Sequence, residues 1–109
     1  MFLIDNDTNT MTIVKKDTAS FDVSLENYIL KEGDTVTFTV AKTLEQEVPE
    51  LQIVVEDFLD GTATFAITSE NSNLEVGTYY YDIQVNTRDG RVDTIVGPAK
   101  FKVIGGVTY

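Results

Sequence analysis

The chain has 109 residues, a net charge of −10, no cysteine and no histidine. Its length predicts one domain over residues 1–109, and the missing residue types argue against disulfides, thiol nucleophiles and transition-metal sites. The acidic charge disfavours nucleic acid as a partner. No apolar run approaches the roughly 20 residues of a membrane-spanning helix, so we expect no membrane partner either.

The first half of the chain alternates apolar and polar residues with the period of two typical of half-buried strands. Residues 1–16 are expected to form an N-terminal extension or hairpin, with a strand over residues 10–14. Further strands are predicted over residues 19–25, 36–40 and 51–55. Their inward positions assign four residues to the core, namely Phe21, Val36, Phe38 and Val40.

The second half continues the alternation. Strands are predicted over residues 62–67, 77–86, 91–96 and 99–104. Threonine suits the outward positions, because its branched side chain fits a pleated strand while its hydroxyl tolerates water. The inward positions in this half are Phe65, Ile67, Tyr79, Tyr81, Ile83, Phe101 and Val103.

Turn residues fall where the predicted strands begin or end. Single helical turns are predicted over residues 43–47 and 69–74, between strands. Seven to nine short strands separated by turns predict an all-β fold, specifically an immunoglobulin-like antiparallel β-sandwich. The residues assigned to turns and strand starts are Gly33, Gly61, Gly77, Asp89, Gly90, Gly97 and Pro98.

Acidic clusters and an aromatic run are the candidate sites. Residues 5–7 and 57–61 offer oxygen ligands for calcium, but Asp, Asn and Gly are also the residues that turns select. The two catalytic carboxylates of a glycosidase could come from Glu56 with Asp57 and Asp60, or from Glu45 with Glu47. Neighbouring residues on one loop, however, seldom face each other across a cleft. We therefore interpret these acids as solvated, and we expect no catalytic, metal or cofactor site and no enzymatic activity.

Three consecutive tyrosines could stack on sugars or bases. Alternation sends Tyr79 and Tyr81 inward and leaves Tyr80 outside, which favours a core role for two of the three. The run after Leu74 also resembles the approach to the tyrosine corner of fibronectin-type sandwiches. The spacing of that motif would place the corner at Tyr80, on the outward side.

Charge is distributed unevenly along the chain. No basic residue occurs between Lys42 and Arg88, whereas nine acidic residues do. The basic residues lie on either side of this stretch. This pattern is typical of a solvated surface, and it also allows a bipolar subunit in which acidic and basic edges of neighbouring copies meet.

One pattern in the sequence spans residues 73–85, the Asp89-Gly90 hairpin and residues 97–103. It resembles a pattern in small β-sandwich modules of tailed bacteriophages. The similarity is greatest to the N-terminal domain of upper-baseplate proteins from phages of Gram-positive bacteria. The stretch from residue 17 to residue 40 resembles the beginning of the same modules. The shared residues mark hairpin geometry and packing rather than chemistry.

The resemblance implies a virion structural protein, assembled in the bacterial cytoplasm from a phage or prophage gene. It implies tail or baseplate docking, with other phage structural proteins as partners, and it allows a homo-oligomer. Relatives typically continue beyond residues 104–109, so the chain is either a small protein or a docking domain. Two alternatives remain: a carbohydrate-binding module that recognises the host surface, and a bacterial surface adhesin.

Overall fold

Eight strands make up the regular structure of residues 1–107, which the computed structural model describes. No helix occurs among these residues, so the described chain is all-β. Thr108 and Tyr109, the last two residues of the expected domain, lie outside the described part. The strands are β1 (Phe2–Ile4), β2 (Met11–Val14), β3 (Ala19–Val23), β4 (Thr35–Ala41), β5 (Leu51–Val55), β6 (Ala63–Ile67), β7 (Gly77–Asn86) and β8 (Val92–Ile104).

The strands form two sheets. One has six strands in the order β1-β2-β8-β7-β4-β5, and the other consists of β3 and β6. Neighbouring strands are antiparallel except β2 and β8, which run parallel with Met11 opposite Phe101. Residues 1–16 contain the hairpin of β1 and β2. Because β2 also pairs with β8, this hairpin belongs to the main sheet.

The two sheets face each other across one apolar core. The ring of Phe38 on β4 lies 5.2 Å from that of Phe21 and 6.0 Å from that of Phe65, both in the other sheet. Met11 and Ile13 on β2 are also buried. Leu25, on the inward parity of the strand predicted over residues 19–25, lies past the end of β3 and is half-buried. Eleven other residues that the alternation assigns to the interior are buried: Phe21, Val36, Phe38, Val40, Phe65, Ile67, Tyr79, Tyr81, Ile83, Phe101 and Val103.

The predicted break at Gly97 and Pro98 is wrong. The strands expected on either side of it are one strand, β8, which pairs with β7 from Val92 to Val103. The pairing register shifts near Tyr81 and Ile83, opposite this point. Gly97 has a φ of 104°, and its peptide bond to Pro98 is cis. A bulge absorbs these irregular residues, so they deform the strand without ending it.

The segments predicted as helical turns form turns without helix. In the first, the Gln46 side-chain oxygen accepts hydrogen bonds from the backbone N–H groups of Lys42 (2.7 Å) and Thr43 (3.3 Å). In the second, the buried Ser72 hydroxyl donates to the Asp17 carbonyl at 2.6 Å. Both turns are thus held by hydrogen bonds from or to side chains, the first within its own loop and the second to the chain before β3.

The remaining turn residues lie in loops or at a strand start. Gly33, Gly61 and Gly90 lie in the β3–β4, β5–β6 and β7–β8 connections, and each has a positive φ. Asp89 precedes Gly90 in the β7–β8 hairpin, and Gly77 opens β7. The three connections lie at the same end of the sheets, because β4, β6 and β8 all begin there.

Candidate interaction surfaces

The two candidate calcium loops are tight turns. The Asp5 carboxylate accepts hydrogen bonds from the backbone N–H groups of Asp7 (2.9 Å) and Thr8 (3.4 Å). In the second loop, Leu59 and Thr62 exchange backbone hydrogen bonds of 2.9 and 3.1 Å. Within residues 1–107 no group of three or more acidic side chains is placed to hold a metal ion. The local geometry of both loops is explained by turn chemistry.

The candidate carboxylate pairs point into solvent. Glu45 and Glu47 lie in the β4–β5 loop, and Glu56, Asp57 and Asp60 follow β5; all five are exposed. A general acid of a glycosidase requires an enclosed carboxyl group facing its partner across the substrate. Exposed carboxylates of this kind contribute charge and solubility instead.

The three tyrosines are placed on both sides of β7. Tyr79 and Tyr81 are buried, and Tyr80 is half-buried on the outer face, between Ala41 and Lys100 on the neighbouring strands. The Tyr79 hydroxyl donates to the Glu75 carbonyl at 2.7 Å. The Tyr81 hydroxyl donates to the Asn9 carbonyl, and burial raises the pKa of Tyr81 to about 12. Two of the three rings are therefore structural.

A buried carboxylate organises the loops at the end of the sheets where β4 begins. Asp34 is 1% exposed. Its side chain accepts hydrogen bonds from the Tyr28 hydroxyl (2.7 Å) and from the backbone N–H groups of Lys31 (3.1 Å) and Arg88 (2.9 Å). These bonds join the β3–β4 loop to the β7–β8 hairpin.

Hydrogen bonding keeps the Asp34 carboxylate ionised. Burial is the largest single influence and raises the pKa of Asp34, but the hydrogen bonds from Tyr28, Arg88 and Lys31, with the Lys31 charge, hold it below 3.8. Sequence reasoning missed this residue. The sequence could have indicated that Asp34 is buried, because it precedes Val36, Phe38 and Val40 by even numbers of residues and so lies on the same, inward side of the chain.

Cationic side chains gather around Tyr28 at the same end. The Lys31 ammonium lies 4.8 Å from the centre of the Tyr28 ring, and the Arg91 guanidinium lies 6.0 Å from it. Arg91 also forms an ion pair with Asp93 at 3.0 Å. Because cations flank the ring and its hydroxyl is bound to Asp34, Tyr28 is held as part of the loop framework.

The uneven charge of the sequence is partly reproduced on the six-stranded sheet. Acids lie at both ends of the edge strand β5, including Glu50 and Glu56. The exposed Lys100 and Lys102 lie on β8, which is separated from β5 by β7 and β4. Lys42 departs from this pattern, since it lies beside the acidic loop and pairs with Glu75 at 3.9 Å. The two lysines of β8 thus have two strands between them and the acids of β5, and they lie in a depression that also contains Asp5.

Comparison with known proteins gives no family for this chain. Within residues 1–107 there is no helix able to span a membrane. No family model matches the sequence, and no curated protein matches it.

Proposed function

We propose that this chain is an immunoglobulin-like β-sandwich that acts, without enzymatic activity, as an assembly and docking module of a bacteriophage tail or baseplate. The virion role rests on the sequence resemblance over residues 73–103. Its partners are other phage structural proteins, with further copies of the chain as an additional contact.

The order of the strands supports the immunoglobulin-like assignment. In variable-type immunoglobulin domains, strands G, F, C and C′ are consecutive in one sheet, and strands B and E are neighbours in the other. Here β8, β7, β4 and β5 are consecutive in the six-stranded sheet, while β3 pairs with β6. Chain order and sheet order agree with that pattern for all six strands.

A hydrogen bond near the start of β7 gives further support. Immunoglobulin-like sandwiches carry a tyrosine near the start of strand F whose hydroxyl bonds the backbone a few residues upstream. Tyr79 has this position, and its hydroxyl donates to the carbonyl of Glu75. The corner residue is thus Tyr79 rather than Tyr80.

The open edges of the larger sheet carry the docking role. β1 and β5 are its two outermost strands, and each pairs with one neighbour among the described residues. Apolar side chains remain exposed on both, with Leu3 56% and Val54 50% accessible. Uncovered strand edges with exposed apolar residues are surfaces on which another chain can pair or pack.

The decisive experiment is mass spectrometry of virions purified from the phage or induced prophage that encodes the chain. We expect the chain at a fixed ratio to the tail proteins, and we expect the recombinant chain to co-purify with the products of neighbouring tail genes. Its absence from virions would refute the proposal.

A carbohydrate-binding role is the second candidate, and one observation favours it. The half-buried Tyr80 borders a shallow depression of about 110 Å³ that also contains the polar side chains of Thr39, Gln46 and Asp82. Sites that bind small ligands such as sugars combine an apolar or aromatic surface with a few polar groups that fix the orientation of the ligand. Glycan-array binding that is lost in Tyr80→Ala and kept in Tyr28→Phe would support this role over docking.

A further inference from the structure

A groove opens along one side of the molecule, between β8 and the end of β3. Ile95 and Val96 line it from β8, and Val23 and Leu25 line it from the β3 side. Buried side chains of the core, including Ile83, form its floor. The groove has a volume of about 540 Å³, within the range of sites that hold ligands.

The groove exists because β2 covers only part of the edge of β8. Within residues 1–107, β2 pairs with residues 101–104, whereas Val92, Asp93, Thr94 and Val96 pair with β7 alone and Ile95 falls at the register shift. At Asn9, whose φ is 60°, the chain turns away towards β1. Residues 92–96 of β8, about 16 Å of extended chain, therefore have one backbone edge without a strand partner in the described part of the chain.

We propose that this groove receives an extended segment of a partner protein, which pairs with residues 92–96 of β8. The segment lies beside β8 in the position that β2 would occupy if it extended further. Every second side chain of the segment is apolar and fills the groove, as Met11 and Ile13 of β2 fill the adjoining core. Strand addition of this kind combines backbone hydrogen bonds with pockets for every second side chain. The inference rests on the proposed docking function and adds this groove to the β1 and β5 edges as a separate contact surface.

The charge at the rim indicates a basic partner segment. Glu26 lines the β3 side of the groove, and Asp93 on β8 pairs across with the inward-facing Val85. The Asp22 carboxylate lies on the outer face of β3, where it accepts a hydrogen bond of 2.8 Å from the Thr64 hydroxyl. The Asp93 charge is partly neutralised by Arg91, whereas Glu26 has no ion pair within residues 1–107. An acidic rim disfavours a second copy of this acidic chain and favours a segment with lysine or arginine at its ends.

A synthetic peptide tests the proposal directly. The probe has about seven residues, with valine at every second position, threonine between the valines and lysine at both ends. We expect it to shift the backbone amide resonances of residues 92–96 in an NMR titration. A peptide of the same composition with consecutive valines should produce no such shifts. A peptide with glutamate ends should bind at least about tenfold more weakly at low salt.

Two groove variants and one control locate the contact. Ile95→Lys and Leu25→Lys place a cation on opposite walls of the groove, and each should weaken binding of the lysine-ended peptide by about tenfold or more. Val76→Lys places the same charge just before β7, whose first residue pairs with Val103 rather than with residues 92–96, and should leave binding unchanged. Two walls are tested so that misfolding of one variant does not decide the result.

Three outcomes would overturn the proposal. The first is the absence of amide shifts in residues 92–96 at about 1 mM peptide. The second is a set of shifts centred on β5. The third is a shift of the groove amides with protein concentration alone, which would make a second copy the occupant. None of these depends on virion composition, so absence from virions would refute the docking function without altering the peptide result.

Discussion

The Asp34 carboxylate accepts a hydrogen bond of 2.9 Å from the backbone N–H of Arg88, 54 residues further along the chain. The same carboxylate accepts hydrogen bonds from Tyr28 and from the backbone of Lys31. One buried side chain therefore fixes two loops that neighbouring strands bring to the same end of the sheets. Loops held in this way present the cations around Tyr28 in a defined arrangement.

Replacing Asp34 by alanine should destabilise the protein by about 3 kcal/mol. The substitution removes the charged acceptor of three hydrogen bonds and leaves their donors without a partner next to a buried position. Chemical denaturation at neutral pH measures the free energy of unfolding. Asp57→Ala removes an exposed carboxylate and is the matched control, with an expected change within about 0.5 kcal/mol. Equal effects of the two substitutions would show that the Asp34 hydrogen bonds contribute nothing to stability.

The stability contribution of Asp34 should depend on pH. Its pKa in the folded protein lies below 3.8, the value expected for the unfolded chain. The ionised carboxylate therefore stabilises the fold above about pH 4, and this stabilisation is lost as the pH falls through the folded pKa. The difference in unfolding free energy between the wild type and Asp34→Asn should shrink between about pH 6 and pH 2. A difference that stays constant over this range would contradict the lowered pKa.

Phe38 lies among four other aromatic rings of the core, and its truncation should be costly. It has no solvent exposure, and its ring lies within 5.2 to 6.0 Å of the rings of Phe21, Phe65, Tyr81 and Phe101. Phe38→Ala and Phe65→Ala should each cost about 3–5 kcal/mol in unfolding free energy. Phe38→Leu, which keeps most of the volume, should cost clearly less. Losses below about 1 kcal/mol for both alanine variants would contradict the assigned core.

Alternation was a good guide to the core within the strands, because a strand whose sheet packs on another must send every second side chain inward. It could not find Leu30, which is buried in the β3–β4 connection outside any strand. It placed the inward residues of β4, β6 and β7 without any knowledge of which strands are neighbours. The same rule applied to Asp34 would have shown an acid on the inward side of β4, where burial requires hydrogen-bond partners. Those partners, on the β7–β8 hairpin, depend on tertiary pairing that periodicity does not encode.

The end of a strand was harder to locate than its faces. Gly97 and Pro98 are residues that usually end strands, yet β7 pairs on both sides of them. Whether such a pair makes a turn or a bulge is decided by the partner strand. The open groove could not be predicted from the sequence for a related reason, because it depends on the point at which β2 stops pairing with β8.

The backbone at Gly97 should tolerate no side chain. Its φ is 104°, and a Cβ there would lie 2.6 Å from the Tyr81 carbonyl oxygen and 2.9 Å from the Asp82 Cα. Both neighbours are backbone atoms, so Gly97→Ala should cost about 2–4 kcal/mol. Gly77→Ala is the control, because a Cβ at Gly77 would meet no atom within 4 Å. Thermal or urea unfolding that ranks the two variants equally would show that β8 adjusts at the bulge.

The charge arrangement of the six-stranded sheet predicts salt-sensitive contact between copies. Acids lie at the ends of β5, and Lys100 and Lys102 lie exposed on β8, so the β5 acids of one copy can meet the β8 lysines of another in a head-to-tail contact. Exposed ion pairs are individually weak and are screened within about 10 Å at 0.1 M salt. Association measured by light scattering should therefore fall as salt is raised.

A matched pair of double variants separates the position of the charges from their number. Lys100→Gln with Lys102→Gln removes two positive charges from β8, whereas Lys31→Gln with Lys42→Gln removes two from loops. Both pairs change the net charge equally, so non-specific repulsion between copies rises to the same extent. Only the β8 pair should abolish the association seen at low salt. A protein that stays monomeric at every concentration and ionic strength, alone and with its tail partners, would refute an assembly role for this charge pattern.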